Sequence, residues 1–189
     1  MTLAPNLLGT KSEPVEFSWT ADDVMLYALA VGTGQDDPTT GLAYTTENTS
    51  GTALAVLPTY ANIITRGARI TLGDYDGANL VHAEQSFSLP APLPVSGTAI
   101  VTATVTEVLD KGRAALVRTE ATAVDSTTGA LLATTAATVF ISGEGGFGGP
   151  RGESTPSPVP DTAPHRTARD RDRPHQTRAG AALPPHRRP

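Results

Sequence analysis

Between residues 80 and 142 the sequence alternates with a period of two, and this stretch limits the fold more than any other feature. The segments LVHAEQSFSL, GTAIVTATVTEVL, AALVRTEATAV and LLATTAATVFIS are rich in Val, Thr, Ile and Ala, and are separated by PAPLPVSG, DKGR and DSTTG. Branched side chains suit a pleated surface, and the Pro, Gly and Asp clusters between them supply turns. Four consecutive strands joined by turns predict an antiparallel sheet. Within the second segment Val101, Ala103 and Val105 alternate with Ile100, Thr102, Thr104 and Thr106, leaving one Thr-rich face that is either solvated or covered by a partner.

Ahead of the sheet, Thr20-Ala21-Asp22-Asp23 leads into VMLYALAVG. Thr20 can cap a helix there, Asp23 sits at the capping-box position, and both acids lie where the helix dipole favours negative charge. Gly32 and Gly34 end it, GQDDPTTG is loop, and in TALAVLPTYANIITR the proline at position 58 can begin a second short helix. A helix followed by a curved antiparallel sheet wrapped on it is an α+β arrangement.

The core must come from the first four-fifths of the chain. Every Phe, Tyr and Trp precedes Pro150, while nine of the sixteen prolines lie from Pro150 onward among almost no large apolar residues. That composition predicts disorder for residues 150–189, a folded domain over 12–149 and a flexible 1–11. The net charge of -5 hides a division: residues 1–150 hold six Lys and Arg against fifteen Asp and Glu, and residues 151–189 hold eight Arg against four acids. An acidic body is a poor partner for nucleic acid phosphates. In the tail, Arg and Asp alternate at RDRDR and no aromatic is present to stack on bases, so a nucleic-acid arm is not expected there either. No apolar run approaches the roughly 18 to 20 residues that cross a bilayer. The absence of cysteine removes disulfides and thiolate chemistry, and the amino terminus lacks a basic region before an apolar stretch; a cytoplasmic protein is expected.

The runs DVMLYALAVGTGQDDP, LPTYANII, LVHAEQSFSLPAPLPVSG, VTEVLDKGRAALV and TTGALLATTAATVFISGEGGFGG occur in the order found in the amino-terminal half of type-2 (MaoC-like) enoyl-CoA hydratases. The chain resembles that family over roughly residues 15 to 152. The resemblance implies a single hot-dog fold, an antiparallel sheet wrapped around a short helix, and a role in hydrating trans-2-enoyl-CoA or dehydrating (3R)-hydroxyacyl-CoA in fatty-acid β-oxidation. It implies acyl-CoA as the small-molecule ligand, no separate cofactor, and a hot-dog partner or homodimer. In the family the catalytic Asp and His belong to a Tyr-Arg-Leu-Ser-Gly-Asp-x-Asn-Pro-Leu-His signature in a second hot-dog domain. Gly-Asp-x-Asn-Pro does not occur in this sequence, so no catalytic residue is expected in it.

The tail offers an account of that difference. Residues 182–189, Ala-Leu-Pro-Pro-His-Arg-Arg-Pro, can be encoded so that a one-base shift spells Leu-Tyr-Arg-Leu-Thr-Gly-Asp-Arg, close to the signature. A frameshift between about Gly152 and Pro174 is therefore expected, with an adjacent stop codon after Pro189.

By the same resemblance, His82 and Ala83 in VHAEQ stand where family members carry His-Gly, and Lys111 in DKG stands where they carry the same lysine; both places contact the CoA part of the substrate. Read on residues alone, His82 is a strand-end histidine satisfied by a neighbour's backbone, and Lys111 a solvated hairpin residue. GEGGFGG follows a strand but precedes no helix or Lys-Ser/Thr, which argues against a phosphate loop. Asp36-Asp37 and Asp74/Asp76 read as solvated caps and turns, and no metal site is expected. Two other outcomes stay open: a non-catalytic assembly partner for a separately encoded catalytic subunit, and an active homodimeric hydratase using other residues.

Overall fold

The computed structural model describes residues 2–152; the basic tail, with the expected disorder and the shifted-frame segment, lies outside the described residues. In chain order the elements are β1 (Thr2–Leu3), β2 (Val15–Trp19), α1 (Ala21–Ala30), α2 (Leu42–Thr45), a 3-10 turn Pro58–Tyr60 running into α3 (Ala61–Thr65), and β3 (Gly73–Asp74). A second 3-10 turn, Gly77–Asn79, then leads into β4 (Leu80–Ser88), β5 (Gly97–Asp110), β6 (Ala114–Asp125) and β7 (Leu131–Ser142). None of the described helices is long and apolar enough to cross a membrane.

The four alternating segments form β4 to β7, all pairing antiparallel in one five-stranded sheet of order β2-β5-β6-β7-β4. That order corrects the picture of four strands laid down side by side. The short turns after β5 and β6, with Gly112 and Gly129 at positive φ, make tight hairpins. The Pro-rich link after β4 does not; it carries the chain across the sheet and leaves β4 on the far edge beside β7. The opposite edge is β2, VEFSW, a five-residue strand absent from the sequence expectation because its alternation is so short. Trp19 anchors it: the indole Nε1 donates to the Pro94 carbonyl at 2.9 Å, and the ring lies so close over Gly97 that a Cβ there would come within 2.9 Å of it.

The capping box at α1 forms as expected, with Asp23 N–H donating to Thr20 and Asp23 accepting from the Thr20 backbone. However, α1 is not the helix the sheet embraces. Only Val24 and Ala28, one helical turn apart, are buried, while Leu26, Leu29 and nearby Val31 are more than half exposed. The sheet curves instead over α3, whose Ala61 and Ile64 are fully buried against Val101, Ala103 and Ala121. Small partners explain the choice: the concave side of the sheet is rich in Ala, so only a helix presenting Ala61 and Ile64 comes close enough to exclude water. A second cluster of Leu7, Leu72, Val105, Val117 and Ile141 closes the other end. The alternation in β5 holds, with Val101, Ala103 and Val105 at 1% exposure or less and Thr102 bonded across the other face to Thr122 at 3.2 Å.

Candidate functional site

Because α3 has only five residues, it covers only part of the concave face. Beyond its end a cleft of about 520 Å³ opens onto β4, β6 and β7, with Thr119, Ala121, Thr135, Ala137 and Val139 as its floor. At the α3 side, the buried Thr65 hydroxyl donates to the Ala61 carbonyl at 3.0 Å and meets the Thr135 hydroxyl at 2.9 Å, so Thr135 is the donor of that pair. Gln85 on β4 reaches back to α3, its Nε2 donating to Asn62 Oδ1 at 2.9 Å. Arg66 and Arg69 line the cleft just past α3, and none of its lining residues is acidic.

His82 also lines this cleft, and strict alternation would not have put it there with Gln85, three residues on. The register between β4 and β7 shifts between His82 and Glu84, which leaves Ala83 as an unpaired bulge residue. The extra residue resets the phase, so that Leu80, His82 and Gln85 share the cleft side. Glu84 is turned to the other face, where it pairs with Arg118 at 3.1 Å and accepts from Thr138 at 3.2 Å. Ala83 needs no left-handed backbone: Asn6 is the one non-glycine residue with positive φ among those described. Alanine is therefore compatible with the bulge.

Lys111 is elsewhere. It stands on the hairpin between β5 and β6, its ammonium donating to the Arg151 carbonyl, and it does not line the cleft. His82 and the hairpin lie toward the same end of the sheet, since His82 pairs with Val139 and Ala114, just past the turn, with Ser142. With β7 and β6 between them, they are on the order of 10 Å apart or more.

The hairpin is held by a carboxylate that sequence reasoning passed over. Asp110, nearly buried, accepts from the backbone N–H of Gly112 at 2.8 Å, Gly146 at 2.9 Å and Gly148 at 2.8 Å. These amides, led by that of Gly146, with the Arg151 charge, hold its carboxyl below the usual aspartate range. GEGGFGG thus resembles a phosphate loop for a physical reason: its amides converge on an anion, and the anion is an internal side chain. Gly145 packs so tightly on the hairpin that a Cβ would lie 2.5 Å from the Ala114 nitrogen and 2.6 Å from the Gly112 carbonyl. The loop acids have turn roles, Asp37 accepting from Thr39 N–H at 2.8 Å and Asp76 from Ala78 N–H at 2.9 Å.

Residues 17–143 match the MFE-2 hydratase 2 N-terminal domain. The chain belongs to that family. It is 41% identical over 169 residues to 3-hydroxyacyl-thioester dehydratase Y of Mycobacterium tuberculosis, covering 87% of this chain and 57% of that protein. It is 38% identical over 165 residues to the enoyl-CoA hydratase ChsH3 of the same organism, covering 83% of this chain and 56% of that protein. The chain therefore spans little more than half the length of these relatives. The crystal structure of a MaoC-like dehydratase from Phytophthora capsici superposes with a TM-score of 0.62 over 85% of this chain and 55% of that one, at 20% identity, which shows the hot-dog fold. As an MFE-2 hydratase 2 N-terminal domain, the chain has the fold and family its sequence blocks indicated.

Proposed function

We propose that this chain is the non-catalytic hot-dog half of a trans-2-enoyl-CoA hydratase or (3R)-hydroxyacyl-CoA dehydratase of fatty-acid metabolism, binding part of the acyl thioester. The residues that add water would stand on a second hot-dog domain, further along a polypeptide or on a partner. The observation that carries this reading is the make-up of the cleft. Hydration of an enoyl thioester needs one group to take a proton from water, one to deliver a proton to carbon, and donors for the thioester oxygen as it gains charge. The cleft offers room, orienting groups and a single titratable imidazole, with no carboxylate beside it. Its hydroxyls on Thr65 and Thr135 are already engaged with each other. Such a site can hold and orient a ligand but lacks an acid–base pair.

In this reading His82, with the Ala83 bulge, and Lys111 flank the CoA portion, the lysine acting as a flexible point charge for phosphate. The second domain would pair along β4, an unpaired edge whose Val81 and Phe87 are 58% and 41% exposed. Edges of this kind are normally covered in a stable protein. A homodimer would use the same edge, and the lack of cysteine fits a reducing compartment such as the cytoplasm. Calorimetric titration of the purified chain with crotonyl-CoA tests the binding role. Saturable binding, weakened several-fold in His82→Ala and Lys111→Ala, is expected, and an absence of saturable binding by the unaltered chain overturns it.

A further inference from the structure

The cations of this molecule are unevenly placed. Residues 1–150 carry only six Lys and Arg against fifteen acids, yet two of the six, Arg66 and Arg69, line one cleft that has no acidic lining residue. Neither is engaged: among the described residues the single ion pair is Arg118 with Glu84, and no side-chain hydrogen bond involves Arg66 or Arg69. Their backbone, by contrast, is fixed. Arg66 N–H donates to the Ile63 carbonyl at 3.3 Å, Ala68 N–H to the Thr65 carbonyl at 3.4 Å, and Ala68 between them is buried in the main core. Two exposed guanidiniums thus project from a short anchored turn at the cleft, with His82 on the facing strand.

From this placement we infer that Arg66 and Arg69 form an oxyanion-recognition site at the cleft, taking a phosphate or carboxylate group of its ligand. A guanidinium presents a planar fork of donors that matches either group bidentately. An anion there also meets no like charge from the lining, which is unusual on so acidic a body. The inference deepens the acyl-thioester reading and rests on it only for the identity of the ligand: the oxyanion is either a phosphate of the CoA portion or a carboxylate at the far end of the acyl chain.

The two sources separate by titrating the full chain with CoA, which brings phosphates without an acyl group, and with adipate, which brings carboxylates without a nucleotide. Wild type is compared with Arg66→Gln/Arg69→Gln and with Lys11→Gln, which removes an exposed charge outside the cleft. Because both arginines are exposed, the double variant should melt as wild type does, which a thermal scan checks. At least one probe should bind wild type in a salt-sensitive way, lose about tenfold or more in affinity in the double variant, and be unchanged in Lys11→Gln. If CoA and adipate both bind the double variant as they bind wild type while His82→Ala or Lys111→Ala weakens CoA binding, the arginine site is wrong and the acyl-CoA reading survives. If adipate binding depends on the arginines but CoA does not bind at all, the arginine site stands and the acyl-CoA reading falls. Affinities for both probes that ignore the two arginines overturn the inference.

Discussion

Replacing Ile64 by Ala tests which helix the sheet is built around. Ile64 is fully buried in the main core cluster, on the short helix that packs on the concave face of the sheet. Emptying a fully buried isoleucine position costs about 2 to 5 kcal/mol. The five residues of α3 have no helical stability of their own, since nucleation alone is unfavourable, so packing lost at Ile64 has no local compensation. In a folded unit of this size each kcal/mol moves the midpoint by about 2 to 4 °C, so the melting temperature should fall on the order of 10 °C. Leu26→Ala on α1 is the control: Leu26 is 67% exposed, and its loss should stay within about 0.5 kcal/mol, a degree or two. Thermal unfolding of both variants by circular dichroism decides the matter. A Leu26→Ala midpoint that falls as far as that of Ile64→Ala would refute the placement of α3 at the centre.

Other predictions follow from the hairpin clasp and the outer face. Asp110 has a folded pKa below its unfolded value, so the stability it contributes is present above the ordinary aspartate range near about 4 and is lost as pH falls through that range toward the depressed folded value. Melting scans between neutral and acidic pH should show a smaller acid loss in Asp110→Asn than in wild type; identical pH profiles would contradict the clasp. Gly145→Ala should lower the melting temperature and weaken crotonyl-CoA binding through Lys111, because the new methyl runs into backbone atoms of Gly112 and Ala114 in the hairpin. Arg118→Gln should shift stability by less than about 1 kcal/mol, because its pairing with Glu84 is an exposed ion pair; a loss of several kcal/mol would show that this face is buried in an assembly.

Much of the architecture was legible because it rests on periodicity and local chemistry. The four segments from Leu80 to Ser142 became strands, and Thr20 with Asp23 formed the capping box, since both depend on neighbours a few residues away. What could not be read depends on contacts remote in sequence. The place of β4 at the edge follows from how a Pro-rich link crosses the sheet. The role of α3 follows from the burial of Ala61 and Ile64 in a core shared with residues of distant strands. At the site, the bulge at Ala83 is invisible to a period-two reading, yet it brings His82 and Gln85 to one face. Asp110 looks like a turn residue beside Lys111 in the sequence, because two of its three amide partners lie more than thirty residues away. Arg66 and Arg69 carry no motif; that they have no carboxylate partner among the described residues is a fact of three-dimensional placement.

The most direct test is hydration of crotonyl-CoA by the purified chain with no other subunit present, followed by loss of the enoyl thioester absorbance. A rate indistinguishable from buffer, by a protein that still binds the thioester, is the expected result. Turnover above buffer that scales with protein concentration would mean that this chain holds its own acid–base machinery, contradicting its assignment as the binding half.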